Sequence, residues 1–598
     1  MEIIINDMKK TVTERIAAMR DYLRANGLAA YIVPSSDPHS SEYVAECWKA
    51  REWITGFDGS AGTAVVTLTG AALWTDSRYW LAAEDVLAGT GVALMKDGLA
   101  DTPSIASWLK ENVAEGGAVG VDGKVCSVAE IEAWSEAFAA DGILVKASDD
   151  AFDTIWKDRP SLPMSKACVM PLEVAGVSAS EKLALLRGEL SAMGADAMAV
   201  TMLDEIAWLT NLRGEDVDYN PVLVSYMLIT NDDATLFVAL DKISAEVKEY
   251  LAAQGVAVRG YYEFFDAIAA CSGKLLLNPA KCCYAVLEAA KGCEVVRALS
   301  PVAAMKAVKN SVEIDGFKKA MLAEGRAMVK LLHWLSLAIK NEKLTELSVD
   351  RKLTEFRSED EAFRGLSFAT ISAYGDHAAI VHYEPTPESD KPLQESGFLL
   401  LDCGGQYNCG TTDITRTIPL GALTEEEKED YTRVLRGHIS LAMARFPKGT
   451  CGTQLDVLAR QWLWRAGENY LHGTGHGVGH FLNVHEGPHQ IRMNNMPAPL
   501  LPGVTVTNEP GLYKAGRFGI RIENTMLVVS SFVSEFGEYC EMEPLTICPI
   551  SKEPIVPELL GDEAIVYLNE YHRWVYEKLS PFFDGEELEF LKDACSPL

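Results

Sequence analysis

The chain has 598 residues, 48% of them hydrophobic and 23% charged, a composition of folded globular proteins at a length that calls for several cores rather than one. Its 85 acidic against 54 basic residues leave a formal net charge of −31, which argues against nucleic acid or an anionic membrane as partners. No segment reaches the roughly 18–20 uninterrupted apolar residues of a membrane span, and the opening MEIIINDMKK holds no apolar run of signal-peptide length, so a cytoplasmic location is expected. The thirteen cysteines are scattered without CxxC spacing and are expected as free, mostly buried thiols in a reducing compartment.

In chain order, ERIAAMRDYLRANGLAAYIVPSSD predicts a helix, a stop at Gly27, a short strand and a Pro-Ser-Ser-Asp turn. The same grammar returns in EKLALLRGELSAMGADAMAVTMLD, with Gly194 ending the helix and Asp204 in the place of Asp37. Each is followed by a Trp-centred element, WITGF at Trp53 and WLTNL at Trp208, and then by strand-like segments. Two related α/β domains in tandem are expected, over 1–160 and 161–310. From about Ser311 a long amphipathic helix opens a third, α+β domain reaching residue 598, in which EEEKEDYTRVLRGHISLAMARF is a further helix.

That third domain holds HGTGHGVGHFLNVHEGPH, His472 to His489, with five of the chain's eleven histidines. Residues 485–489, His-Glu-Gly-Pro-His, match the H-E-x-x-H letters of zinc proteases, a motif that works only on a helix. Gly487 costs about 1 kcal/mol and Pro488 about 3 kcal/mol inside a helix, so the zinc-helix reading fails. His472, His476 and His480 are likewise spaced by four, but glycines at 473, 475, 477 and 479 predict a tight loop or strand that passes close to other backbone. A phosphate cradle is unsupported, because neither G-x-G-x-x-G nor a Walker lysine is present.

Metal ligation would then need carboxylates from elsewhere. Four sit in apolar or glycine-rich strand contexts: Asp402 ending FLLLD, Asp413 in GTTDITRT, Glu509 in VTVTNEPG and Glu523 in GIRIEN. Taken singly, each has an ordinary reading as a turn residue or a solvated strand position. Asp402 and Asp413, eleven residues apart, suit two adjacent antiparallel strands presenting both carboxylates to one face.

The ordered set Asp402, Asp413, His476, Glu509 and Glu523, in LDCGGQY, TTDITRT, HGTGHGVG, NEPG and RIEN, resembles the five metal ligands of the pita-bread dinuclear metallopeptidases. GFDGSAGTAVV, LWTDSRYW, HGTGHGVGHFLNVHEGP and GIRIEN narrow the resemblance, which spans essentially the whole chain, to the three-domain Xaa-Pro aminopeptidases of cytosolic type. It implies two creatinase-like N-terminal domains followed by a pita-bread catalytic domain with a C-terminal extension. The implied reaction is hydrolysis between an N-terminal residue and a following proline, by a hydroxide bridging two metal ions.

The resemblance further implies Asp402 on one ion, His476 and Glu509 on the other, and Asp413 and Glu523 bridging them. Manganese is the implied metal; four carboxylates and one imidazole also suit Zn²⁺, Co²⁺ or Fe²⁺. His382 in AAIVHYEP, His472 and His485 match catalytic positions, His472 and His485 at the scissile carbonyl and the proline region and His382 in oxyanion stabilisation or proton shuttling, while His480 and His489 match no ligand position and are read as structural. Arg521, two residues before Glu523, is expected to orient Glu523 or the substrate. The substrates implied are peptides with proline second, and a homodimer is implied as well. Two other readings remain: a prolidase acting on Xaa-Pro dipeptides, against which the tandem N-terminal domains weigh, and a non-catalytic binding protein on the same fold.

Overall fold

The computed structural model describes residues 2–148 and 150–598, with side chains from Lys10 onward. Met1 and the first side chains, on which part of the leader reading rests, lie outside the described residues. The chain divides into two compact units, one ending at Ala303 and the other beginning at Ala304.

The first unit holds two six-stranded sheets. One is built from Ala30–Pro34, Thr63–Thr67, Ala71–Thr75, Ala93–Lys96, Ala118–Asp122 and Leu144–Ser148; the other from Ala197–Val200, Ser225–Thr230, Ala234–Val238, Ala257–Gly260, Gly273–Leu277 and Cys293–Arg297. Counted in chain order within each sheet, both lie 4-3-2-1-5-6 across the sheet. In both, the first strand runs antiparallel to the second and parallel to the fifth. The central strands are apolar runs rather than alternating ones, because helices cover both faces of the sheet and no position faces water. Trp53 and Trp208 lie on corresponding short helices, Ala50–Thr55 and Leu203–Thr210. The tandem relation therefore extends from sequence grammar to topology.

The second unit opens with the 28-residue helix Ser311–Ala338, started by a reciprocal cap in which Asn310 accepts from the Glu313 N–H and the Glu313 carboxylate from the Asn310 N–H. Thr424 and Glu427 repeat the device at helix Glu425–Ala442. These helices and Gly452–Trp464 flank a three-stranded sheet of Ile371–Tyr374, Phe398–Cys403 and Ile414–Pro419, and a four-stranded one of Arg445–Pro447, Gly537–Pro544, Asn524–Ser534 and Thr505–Asn508. Phe317, Phe398, Tyr431, Ile520 and Leu527 share one core with Leu568, Val575 and Leu579 of helix Asp562–Leu579. Residues 486–491 form a strand, Glu486–Ile491, that pairs with Gly475–Gly477, so the H-E-x-x-H letters lie on extended backbone. All thirteen cysteines are free. Among the described residues no helix is long and apolar enough to cross a membrane.

Candidate metal centre

Two strand pairings bring the four carboxylates together. Phe398–Cys403 runs antiparallel to Ile414–Pro419 with Asp402 opposite Thr415, which puts Asp402 and Asp413 at neighbouring strand ends. Thr505–Asn508 runs antiparallel to Asn524–Ser534 with Asn508 opposite Asn524, so Glu509 and Glu523 flank one cross-strand pair, one leaving and one entering its strand. The two sheets are stitched where the Glu523 N–H donates to the Thr415 carbonyl (3.1 Å) and the Thr415 hydroxyl to Glu523 Oε2 (2.7 Å).

The histidine loop is laid across the second pairing. A Cβ at Gly475 would stand 1.9 Å from the Thr507 carbonyl oxygen and one at Gly477 2.6 Å from that of Glu486, so no larger residue fits at either. The His476 N–H donates to the Thr507 hydroxyl (3.0 Å), and the Glu509 N–H to the Thr474 carbonyl (2.8 Å). Helix Gly452–Trp464 holds the near end: buried Arg460 donates to the carbonyls of Tyr470 (2.5 Å) and His472 (2.8 Å), and Asp456 accepts from the Thr474 hydroxyl (2.6 Å).

His476 donates from Nδ1 to the Gly477 carbonyl (2.9 Å), which leaves Nε2 facing Asp413 Oδ2 and Glu509 Oε1, each at 3.4 Å. One donor atom each from Asp413, His476 and Glu523 fall within 4.8 Å of one another. Burial, followed by the charges of Asp413, Glu509 and Asp402, pushes the Glu523 carboxyl well above the usual range. Burial also raises Asp402, against the pull of Arg521, and Glu509, against that of His476. His476 itself is raised to about 9: burial opposes its charge, but Asp413 and Glu509 outweigh that. Buried carboxylates with so little countercharge are costly unless cations join them. Asp402 Oδ1 is buried with no donor among the described residues, and the set offers hard oxygens plus one imidazole nitrogen. On both counts the residues fit divalent metal ions.

Arg521 is 1% exposed and donates to Asp402 Oδ2 from Nη2 (2.6 Å) and Nε (3.1 Å), so it secures Asp402 rather than Glu523. Its Nη1 donates to the Tyr513 oxygen (2.6 Å), which leaves the phenol proton for His472 Nε2 at 2.8 Å, while His472 Nδ1 donates to the Gly473 carbonyl (2.7 Å). The His485 ring stands edge-on to His476, centroids 4.3 Å apart at 82°. His382 is half-buried on the turn after Gly375–Ala379, a segment that a Cβ at Gly519 would strike. His480 packs against Phe317, and His489 is buried with Nε2 donating to the Thr505 carbonyl (2.8 Å).

Sequence reasoning missed Tyr513, Thr415 and Arg416. Arg416 is 2% exposed and holds the Glu523 carbonyl (2.6 Å), the Asn524 amide oxygen (2.9 Å) and the carbonyls of Cys548 (2.8 Å) and Pro549 (2.9 Å). The one signal for it is an arginine between Thr415 and Thr417 in the middle of a strand.

A buried carboxylate-histidine cluster carried on paired strands is a candidate metal centre, and the comparisons give the class, a metallopeptidase. Residues 315–530 match the model of metallopeptidase family M24, 538–598 its C-terminal region, and 15–155 and 158–313 two creatinase/prolidase N-terminal domain models. A probable Xaa-Pro aminopeptidase P of Laccaria bicolor is 40% identical over 98% of this chain and 94% of its own length. Aminopeptidase P1 of Arabidopsis thaliana is 39% identical over 98% and 99%. The crystal structure of X-prolyl aminopeptidase from Caenorhabditis elegans, described as a cytosolic enzyme with a di-nuclear active site, superposes with a TM-score of 0.94 at 32% identity, over 98% of this chain and all of that one. The chain belongs to metallopeptidase family M24, within its Xaa-Pro aminopeptidases, and its fold is two creatinase-type domains followed by a pita-bread catalytic domain.

Proposed function

We propose that this chain releases the N-terminal residue from peptides whose second residue is proline, as a cytoplasmic homodimer whose domains span 1–160, 161–310 and 311–598. The observation that carries the reading is the convergence of Asp413, His476 and Glu523, with Glu509 beside His476 and Asp402 on the strand next to Asp413, within a chain of which 98% matches Xaa-Pro aminopeptidases. The homodimer rests on the resemblance alone, and the location on the described relative.

Asp402 would hold one ion, His476 and Glu509 the other, and Asp413 and Glu523 both. Two divalent ions held there, Mn²⁺ in this reading, would supply Lewis acidity and lower the pKa of a water. The protein's own part is to fix the donors and serve the substrate. Arg521 clamps Asp402, Thr415 clamps Glu523, and the Gly477 carbonyl sets the His476 tautomer. An Xaa-Pro bond is a tertiary amide without an N–H, so the substrate's donors near the bond are its N-terminal amine, which the carboxylates can receive. His472, held between the Gly473 carbonyl and the Tyr513 hydroxyl, and His485, beside His476, face the carbonyl and the proline in this reading, with His382 assisting proton transfer.

The test is purified protein with Mn²⁺ and three substrates: Arg-Pro-Pro, Gly-Pro and Met-Ala-Ser. Release of arginine with the other two spared supports the proposal. Preferential cleavage of Gly-Pro makes the chain a prolidase, and absence of both turnover and bound metal makes it a binding protein.

A further inference from the structure

Beyond the carboxylate cluster, the second unit buries another set of charges. Glu486 Oε2 accepts from Lys306 Nζ at 2.7 Å and Oε1 from Lys309 Nζ at 2.5 Å, and the three side chains are 1%, 3% and 1% exposed. Lys309 Nζ also donates to the carbonyls of Lys306 (3.1 Å) and Ala307 (3.2 Å). One lysine would neutralise Glu486, and a second joins it in the same buried group. Buried ion groups of this kind cost desolvation that an apolar packing would avoid, so they are poor devices for stability alone.

Their position suggests what they do instead. Glu486 directly follows His485, and its backbone pairs with Gly477, which directly follows His476. It is the first residue of strand Glu486–Ile491, and the 481–485 stretch before it is turn and bend. The edge-on contact of the His485 and His476 rings therefore depends on where Glu486 is fastened. The far end of the strand is fixed separately, by His489 on the Thr505 carbonyl. Both carboxylate oxygens are taken by ammonium groups from one short segment, so the carboxylate can neither rotate nor slide along the strand. A single neutral hydrogen bond would leave both motions open.

We infer that the Lys306–Glu486–Lys309 group is a positioning device for His485, holding its imidazole in register against His476 and hence against the scissile bond. The inference rests on the reading above that His485 serves the substrate. It assigns Lys306, Lys309 and Glu486 no contact with substrate.

The experiment measures kcat and KM on Arg-Pro-Pro, with bound Mn²⁺ determined alongside, for the full chain and for Lys306→Met, His485→Ala and the double variant. Lys306→Met leaves the Lys309–Glu486 pair intact. Its kcat is expected to fall roughly 10-fold, with KM and metal content within about 2-fold, as for groups that orient a functional side chain. In the His485→Ala background the same substitution is expected to change the residual kcat by less than about 2-fold, because its effect runs through the missing ring. Lys306→Gln, which keeps a donor to Glu486, is expected to restore most of the loss and covers the case in which the methionine variant folds poorly. Unchanged kcat in Lys306→Met, or an equal loss with and without His485, overturns the inference and leaves the group purely structural. Wild-type turnover in His485→Ala instead removes the catalytic reading of His485, and the inference with it.

Discussion

Two buried histidines, one in each unit, have opposite electrostatics. In the N-terminal unit His39 donates from Nδ1 to the Thr201 carbonyl (2.9 Å) and accepts at Nε2 from the Tyr261 hydroxyl (3.0 Å), and burial lowers its pKa. In the catalytic unit His476, facing Asp413 and Glu509, is raised to about 9 despite burial. The carboxylates differ in the same way. Asp216 in the N-terminal unit faces buried Lys242 and accepts from Ser165 Oγ (2.7 Å), the Ser165 N–H (3.1 Å) and the Val224 N–H (2.7 Å), a charge-balanced and saturated set. Among the described residues Glu523 has only the Thr415 hydroxyl on its carboxylate, and three acidic neighbours. Polar groups that a fold buries for its own sake are balanced within the protein; those of a metal site are balanced only together with their cations.

Four measurements test that contrast. Glu523→Gln removes a donor from the unbalanced set and should abolish turnover of Arg-Pro-Pro while the protein stays folded by circular dichroism; retained activity would sink the ligand assignment. Asp216→Asn leaves Lys242 buried without its anion. It should cost about 3–5 kcal/mol of stability in urea unfolding with kcat/KM per folded molecule unchanged, and a selective loss of activity would erase the distinction between the units.

Arg521→Met strips the guanidinium from Asp402 and frees Tyr513. Metal affinity or kcat should fall about 10- to 100-fold, read by metal titration and by turnover at saturating Mn²⁺. A change confined to thermal stability would make Arg521 a packing residue.

The smallest effect is a pH one. His572 Nε2 accepts from the Ile550 N–H (3.1 Å), and burial, then Lys552 and Arg416, lowers its pKa from 6.5 to about 3. Between those values the unfolded chain binds the extra proton. Stability is therefore full above the unfolded value and falls as pH drops below it, by at most about 1.4 kcal/mol per pH unit from this group. His572→Gln should flatten that limb of the urea midpoint against pH; an unaltered slope would show that His572 stays neutral in both states.

Much of the catalytic unit is legible in the amino-acid sequence. The five proposed donors stand in recognisable local contexts, and Gly487 with Pro488 suffices to exclude the zinc helix, because backbone sterics act within a few residues. The tandem grammar around Gly27 and Gly194 likewise anticipates two sheets with the same strand order. What stays hidden is partnership. Arg521, two residues from Glu523, serves Asp402 across 119 residues of sequence, and Lys306 and Lys309 meet Glu486 across 180 and 177. Tyr513 and Arg416 carry no motif, since a phenol or guanidinium looks the same in sequence whether it lies at the surface or fastens a site.

The sequence by itself determined which side chains are candidates for the chemistry, which segments are helix or strand, and that the histidine run is not a helix, because these follow from residue type, spacing and steric rules that operate over a turn or a strand. Only the tertiary structure decided which charges are balanced and which are left open. Pairing energy depends on burial and on distances of a few ångströms, and those are fixed when strands far apart in the chain pair, as Asp402 does with Thr415 and Asn508 with Asn524.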